Sequence, residues 1–225
     1  MLKKLLTGAL IAGVASGVIA AALQFAFVIP MLLEGELYET GARIHFGAGS
    51  PQSPAGSPGL GDDWGRHLMT VTFNVVTYTA YGLILTGLMA LAIRQGHVLN
   101  ARRGIIWGLA GFIAVQLAPA LGQPPELPGT ITAEVGARQL WWSCTILATA
   151  VGLWLIAFVP QVWAVALAVV LMLVPQVIGA PQLDTYYGSA APELAAHFAT
   201  SSLGFAAVGW VLLGTIAGYF AGQDD

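Results

Sequence analysis

Charged residues are scarce in this sequence of 225 residues, at 8% against about 25% in a typical soluble domain. Hydrophobic residues make up 57% of the chain, and the mean hydropathy is +0.77. This composition excludes an ordinary soluble protein and predicts an integral membrane protein. No stretch between the apolar runs is long enough to form a separate core, so we predict one transmembrane domain over residues 1–225.

Cysteine, basic runs and catalytic motifs are also scarce or missing. The single cysteine, Cys144, excludes an internal disulfide and a Cys-based metal cluster. The net charge is −3 and the sequence has no Lys/Arg-rich run, so nothing indicates nucleic-acid binding. The sequence lacks a P-loop, a Rossmann glycine fingerprint, an H-E-x-x-H motif and a G-x-S-x-G motif. We therefore predict that the chain is not an enzyme and does not hydrolyse ATP.

Long uncharged runs predict an all-α bundle of six transmembrane helices, since a span needs about 20 apolar residues. The predicted spans are residues 5–33, 67–93, 104–121, 140–159, 162–179 and 195–221. The run from Gln139 to Leu183 is too long for one span, and we divide it at Pro160–Gln161. Pro175 interrupts the fifth span, so five helices with a re-entrant segment is the alternative. Residues 40–66 are rich in Gly, Ser and Pro and predict a flexible outer loop.

The first apolar run is predicted to be a transmembrane span rather than a signal peptide. The first run follows Lys3 and Lys4, as in a signal peptide, but it exceeds the roughly 7–15 apolar residues of such a segment. We therefore predict a retained span.

The first and last spans carry small residues four positions apart. This spacing puts them on one helix face and predicts close helix packing. The two sets are Ala9, Gly13, Gly17 and Ala21 in the first span, and Gly214, Gly218 and Gly222 in the last.

We predict that both termini are cytoplasmic, because Lys and Arg are more frequent on that side of a membrane protein. The inner side then holds Lys3, Lys4, Arg94, Arg102 and Arg103, and the outer side holds Arg43, Arg66 and Arg138. All acidic residues except Asp224 and Asp225, and all histidines except His97, lie on the outer side. Carboxylate and imidazole groups bind divalent cations and raise their local concentration. The alternative is that the outer loops are simply polar.

Six outer residues are candidate metal ligands: Glu34, Glu36, Glu39, Glu126, Glu193 and His197. Glu193 and His197 are four residues apart at the start of the last span, so both can contact one ion. Glu193 could instead only interact with the helix dipole. The three acids after the first span could form a solvated interfacial surface. Glu126 lies in a turn that proline stiffens on both sides.

Two further groups of residues are predicted to have structural roles. Rigid turns are predicted at Pro119, Pro124, Pro125, Pro128 and Gly129, and at Gly179 and Pro181. Arg138, Trp141 and Trp142 combine a cation with aromatic side chains, as residues that anchor a helix at the membrane interface do. In the alternative interpretation, Arg138 is a counter-charge for Glu126 or Glu134.

Four sequence blocks resemble the CbtA family of probable cobalt transporter subunits, over nearly the whole chain. They are the first span with IPMLLEGELYE (29–39), GLAGF with LAPALGQPPELPG (108–129), ARQLWW (137–142), and VPQVIGAPQ (174–182) followed by PELAAHF (192–198). The second and third blocks together are the most specific. Two positions depart from the family pattern: the first outer loop contains only His45 and His67, and Gln176 stands where the family often has histidine.

The resemblance implies a multi-pass protein of the bacterial inner membrane that admits cobalt in bacteria that make or use cobalamin. It also implies a partner similar to CbtB, a small single-span subunit that carries histidines. The functional positions that it implies here are Glu34, Glu36, Glu39, Glu126, Arg138 and the turn Gly179–Pro181.

From the residues and the resemblance together, we predict a membrane subunit of a divalent-metal uptake transporter that supplies cobalamin biosynthesis, with Co²⁺ favoured over Ni²⁺ or another divalent metal. We predict no permanently bound cofactor, and membrane lipid, the metal ion and a CbtB-like subunit as partners. The alternative is a non-transporting accessory or metal-sensing subunit that stabilises a partner permease, because no ionisable residue lies firmly at mid-membrane. Four polar residues either line the ion path or form interhelical hydrogen bonds: Gln24, Asn74, Thr77 and Gln116.

Overall fold

The computed structural model describes residues 2–45, 54–185 and 187–224, and within these ranges all regular structure is helical. Helix α1 comprises Leu2–Leu23, a π-helical segment Gln24–Val28 and the α-helical segment Ile29–Glu39. Helix α3 likewise comprises Ala101–Phe112, a π-helical segment Ile113–Leu117 and Ala118–Ala120. The other helices are α2 (Trp64–Arg94), α4 (Val135–Phe158), α5 (Val162–Ile178) and α6 (Pro192–Ala221).

The predicted all-α fold class is confirmed. Five of the six helices in the described ranges are long and apolar enough to cross a membrane. Helix α5 is apolar but has only 17 residues, shorter than the other five. The sequence left six spans and five spans open, and the two counts differ by whether this helix is included. The break predicted at Pro160–Gln161 separates α4 from α5.

Helix α1 extends to Glu39, beyond the predicted end at residue 33, and Pro30 does not interrupt it. Pro30 lies in the first turn of the segment Ile29–Glu39, where a missing backbone N–H is tolerated and the fixed backbone angle suits a helix. The acids Glu34, Glu36 and Glu39 therefore lie within the last turns of α1 and not in the loop after it.

The chain forms two compact units. Unit 1 contains Met1–Phe27, Gly61–Phe112 and Gly204–Asp225, and unit 2 contains Val28–Leu60 and Ile113–Leu203. The single transmembrane domain predicted for residues 1–225 stays a prediction. Of the outer loop predicted at residues 40–66, residues 46–53 lie outside the described ranges.

Unit 1 is held together by helices that approach each other closely at glycine. A Cβ atom on Gly13 of α1 would overlap the backbone of Thr79 in α2, and one on Gly17 would lie 2.6 Å from the Cα of Val75. On α3, a Cβ on Gly104 or Gly108 would overlap a backbone carbonyl of α6, at Gly214 and Trp210 respectively. The two predicted close-packing faces are thus confirmed.

Unit 2 combines helix packing with ordered turns. The side chains of Ala164 and Ala168 on α5 are fully buried, and a Cβ on Gly152 of α4 would lie 3.1 Å from the carbonyl oxygen of Ala168. The turn after α3 packs against the end of α1, because a Cβ on Gly35 would lie 3.0 Å from the Cδ2 of Leu127. Leu127 is buried, so the turn next to Glu126 is anchored by apolar contact.

Candidate metal entrance and intramembrane polar residues

Glu126 and Arg138 form an ion pair in unit 2. The Nη2 atom of Arg138 donates to the Oε2 atom of Glu126 at 2.9 Å, and the side chains are 20% and 33% exposed, respectively. Glu126 comes from the turn after α3, whereas Arg138 lies in the first turn of α4. The geometry therefore supports the counter-charge interpretation of Arg138, with Glu126 as its partner.

The backbone around Glu126 is fixed by local hydrogen bonds and proline. The carbonyl of Pro119, a fully buried residue, accepts hydrogen bonds from the N–H groups of Gly122 and Gln123 at 3.1 and 2.8 Å. Beyond Glu126, Gly129 has a φ of +79°, a conformation that favours glycine. A Cβ there would also lie 2.7 Å from the Oγ of Ser189. The carboxylate is thus carried on a turn with little freedom to move.

The turn after α5 packs against the turn after α3. A Cβ on Gly122 would lie 2.7 Å from the Cβ of Ala180, and the Nε2 atom of Gln182 donates to the carbonyl of Gly122 at 3.0 Å. Gly179, which has a φ of +83°, ends α5. The predicted turns at Pro119–Gly129 and Gly179–Pro181 are therefore neighbours in unit 2.

An open cleft of about 180 Å³ lies beside this pair of turns. Its wall includes both members of the ion pair and residues from the segments that follow α3 and α5. They are Gly122, Gln123, Pro124, Glu126, Thr130, Ile131, Thr132, Ala133, Arg138, Pro181, Gln182, Leu183, Thr185 and Tyr187. Oxygen-bearing side chains on such a wall suit a hard, hydrated cation, and Glu126 is the glutamate among them.

Glu34 is held more tightly than Glu126. Its Oε1 atom accepts from the Nη1 atom of Arg43 at 2.8 Å and from the backbone N–H of Gly56 at 2.9 Å, and the Glu34 side chain is only 12% exposed. The sequence reasoning missed Arg43 and Gly56 as partners of Glu34, because contacts across a loop leave no periodic signal. The Glu34 carboxylate thus links Arg43 and Gly56 to α1.

The remaining candidate ligands lie at the ends of helices in unit 2. Glu36 is half-buried and Glu39 is exposed at the end of α1, where the Cβ of Glu39 lies against Gly129. Glu193 and His197 are exposed on the first two turns of α6. Within residues 2–45, 54–185 and 187–224, no three His, Cys, Asp or Glu residues are grouped so as to hold a metal ion. The roles of all six candidates as metal ligands therefore stay predictions.

The two tryptophans predicted as interface anchors have different surroundings. Trp141 is only 7% exposed, and its indole N–H donates to the carbonyl of Pro175 at 2.9 Å. Trp142 is 41% exposed. Trp141 thus joins α4 to α5 within unit 2, and Trp142 has the exposure that an anchoring side chain needs. The anchoring role stays a prediction.

Glu134 caps the N-terminus of α4, next to the ion pair. Its two carboxylate oxygens accept from the backbone N–H groups of Gly136 and Ala137 at 2.8 and 2.7 Å. These two hydrogen bonds, that from Gly136 first, hold the pKa of the exposed Glu134 carboxylate below its ordinary value. From the sequence we predicted Glu134 to be an outer acid and, in one alternative, the partner of Arg138. An acid two residues before a Gly-Ala pair at a helix start is the capping signal that was available.

The polar residues considered as path-lining residues differ in their hydrogen bonding. In unit 1, the Oε1 atom of Gln24 accepts from the Nδ2 atom of Asn74 at 3.0 Å, which is the interhelical hydrogen bond that the sequence left as an alternative. Thr77 is half-buried in α2. In unit 2, the Oε1 atom of Gln116 is buried and has no hydrogen-bond partner among the described residues. An unpartnered buried acceptor costs about 1–3 kcal/mol, so the position requires an explanation.

The likeness of this chain to known proteins is found at the level of a family profile. Neither a curated protein nor a solved structure matches it at a significant level. A family profile with the description "Probable cobalt transporter subunit (CbtA)" matches residues 2–222, nearly the whole chain. This range includes all four sequence blocks that carry the resemblance. The chain therefore belongs to the CbtA family of probable cobalt transporter subunits.

Proposed function

We propose that this chain is the conducting subunit of a divalent-metal uptake system that carries Co²⁺ into bacterial cells for cobalamin synthesis. In this proposal the chain lies in the inner membrane with both termini in the cytoplasm. Membership of a cobalt transporter family and five helices of membrane-spanning length support it. The observation that carries it is the ion pair between Glu126 and Arg138 on the wall of an open cleft.

A partly exposed ion pair suits the reversible capture of a cation. Such pairs contribute only about 0–1 kcal/mol, so a divalent ion can displace Arg138 from Glu126 at small cost. The carboxylate is already positioned by its turn, and the arginine keeps it paired until an ion arrives. Glu34 is less suited to capture, because Arg43 and the N–H of Gly56 both occupy the same oxygen. The other outer acids and His197 then serve to concentrate cations near the cleft.

The second candidate function is a non-transporting accessory or metal-sensing subunit that stabilises a partner permease. The pairing of Glu34 and Glu126 with arginine favours it, because both carboxylates already have protein partners. In this case a small single-span subunit with histidines, similar to CbtB, would supply the metal ligands. Imidazole groups bind Co²⁺ well, so a partner of this kind also fits the first proposal as the donor of the ion.

The test is ⁵⁷Co²⁺ uptake into proteoliposomes, with and without the His-bearing small subunit. We expect Glu126→Gln to lower kcat/KM for uptake on the order of tenfold or more, because one charge at about 4 Å from a divalent ion contributes about 2 kcal/mol even in water. His197→Ala should have a smaller effect. Asp62→Asn is the matched control, because it removes an outer carboxylate that does not line the cleft.

Arg138→Gln tests the ion pair from the other side. It should lower the KM for Co²⁺, because it removes the competitor for the Glu126 carboxylate. If Glu126→Gln takes up Co²⁺ at the same rate as the wild type, the entrance lies elsewhere. Uptake that occurs only with the small subunit would move metal capture to the partner. A folded wild type that takes up no Co²⁺ under either condition would leave the accessory function.

A further inference from the structure

The π-helical segments of α1 and α3 each carry one glutamine, but among the described residues only one of the two amide oxygens has a hydrogen-bond partner. The amide oxygen of Gln24 accepts a hydrogen bond from Asn74. The amide oxygen of Gln116 is buried without a partner in the part of the chain that the structure describes. π-Helical segments widen a helix locally and occur often at functional sites. The difference between two similar positions therefore points to a separate role for Gln116.

Two carbonyl groups of unit 2, one of them two residues after Gln116, accept hydrogen bonds from side chains. Pro119 has no N–H to offer the preceding turn, so that turn has one more carbonyl acceptor than it has donors. The carbonyl of Ala118 already accepts from the Nε2 atom of Gln176 at 3.0 Å. The carbonyl of Pro175 accepts from the indole of Trp141. These two side-chain N–H groups are thus already bonded to carbonyls, and the amide oxygen of Gln116 is left to a water molecule or a cation.

Gln116 also lies next to the proposed entrance along the chain. It is within one turn of the end of α3, and Gln176 is within one turn of the end of α5. The segments that follow these two helix ends, Gly122–Glu126 and Pro181–Leu183, line the cleft. Gln116 is therefore close along the chain to the residues that line the cleft.

We propose that the amide oxygen of Gln116 forms a second cation site inward of the Glu126 cleft, where a partly hydrated divalent ion binds briefly on its way through unit 2. The inference rests on the proposed transport function. The site is neutral, and a conducting site must bind an ion weakly enough to release it. Amide oxygen is also a poor discriminator among Co²⁺, Ni²⁺ and Mn²⁺, so metal selectivity is set outside this site.

Gln116→Leu tests the site, with Gln24→Leu as the matched control. We expect Gln116→Leu to lower the maximal rate of ⁵⁷Co²⁺ uptake about tenfold, equivalent to about 1.4 kcal/mol in the barrier, with an unchanged KM. Its Tm should stay the same or rise, because a buried unpartnered acceptor has been removed. Gln24→Leu should lower Tm, because it breaks the bond to Asn74, and leave uptake per folded molecule within about twofold.

Equilibrium dialysis with ⁵⁷Co²⁺ separates failure of the site from failure of the transport function. Full uptake by Gln116→Leu beside an active wild type would overturn the site and leave the transport function intact; Gln116 would then hold only a water molecule. If the wild type takes up no Co²⁺, the transport function fails, and binding decides. Less bound Co²⁺ in Gln116→Leu than in wild type would retain the site, whereas equal binding or no binding by either would overturn it.

Discussion

Proline and glycine are used differently in the two units of this protein. All 12 prolines of the sequence fall in unit 2, and so do all of its glutamates. In unit 1, glycines place helix backbones in direct contact, as at Gly108 of α3 and Trp210 of α6. The first arrangement leaves carbonyl groups without helical donors, and the second removes space between helices.

This difference separates a packed scaffold from a polar region. Where proline interrupts α3 and α5, side chains bond to the backbone: Gln176 to Ala118, and Trp141 to Pro175. Turns with fixed geometry follow, and they carry the ion pair of Glu126. Irregular backbone at membrane depth is tolerated where it is buried in protein or lines a cavity. The proposed ion site therefore belongs to the unit in which the helices are interrupted.

The largest effect is expected from side chains added to the glycine contacts of unit 1. Gly108→Ala should destabilise the protein by about 3 kcal/mol or more, because the new Cβ overlaps the carbonyl oxygen of Trp210 and a helix backbone must move. Thermal unfolding in detergent and the yield of monodisperse protein measure this loss. Gly87→Ala is the control: nothing lies within 4 Å of its Cβ position in α2. It should be neutral or stabilising by up to about 1 kcal/mol.

Equal stability of the two glycine variants would break the comparison. It would mean that α3 can shift away from α6 without loss, so that close backbone contact does not distinguish unit 1. A Gly104→Ala variant, which also overlaps a carbonyl of α6, repeats the test at an independent position.

A smaller effect is expected at the tryptophan pair of unit 2. Trp141→Phe should destabilise the protein by about 2 kcal/mol, because it removes a buried hydrogen bond and leaves a cavity. Trp142→Phe should cost less than about 0.5 kcal/mol, because that side chain is largely exposed. Thermal unfolding of both variants measures the difference. Similar losses would show that burial of Trp141 does not hold α4 to α5.

Sequence reasoning succeeded where a single helix carries the signal. Uncharged runs predicted the helices, and four-residue spacing at Gly13–Gly17 and Gly214–Gly218 predicted the close contacts of unit 1. The pair of Glu126 and Arg138 was also within reach, as one of two alternatives, because a short proline-rich turn separates the two residues in the chain.

Sequence reasoning failed where the partner lies far along the chain or the helix departs from the α-helical pattern. The hydrogen bond between Trp141 and Pro175 joins two helices, and no local sequence pattern predicts it. Helix α1 continues to Glu39, six residues past the predicted end, with Pro30 in the first turn of its last segment, and the π-helical segment before it looks apolar and ordinary in the sequence. The amide oxygen of Gln116, which has no partner in the described part of the chain, could not be distinguished from the paired oxygen of Gln24, because each glutamine lies in a similar apolar helix.

The smallest effect is expected at the exposed N-cap of α4, and it depends on pH. The folded-state pKa of Glu134 lies below its ordinary value of 4.5, so the charged carboxylate stabilises the folded state. This contribution is fully present above pH 4.5 and is lost as the pH falls through the lower, folded-state pKa. Glu134→Gln removes the titrating group. Thermal unfolding from about pH 7 to pH 3 should therefore give Tm values for the wild type and the variant that differ near neutrality and converge in acid. A difference that stays constant over this range would mean that the cap acts through hydrogen-bond geometry alone, without its charge.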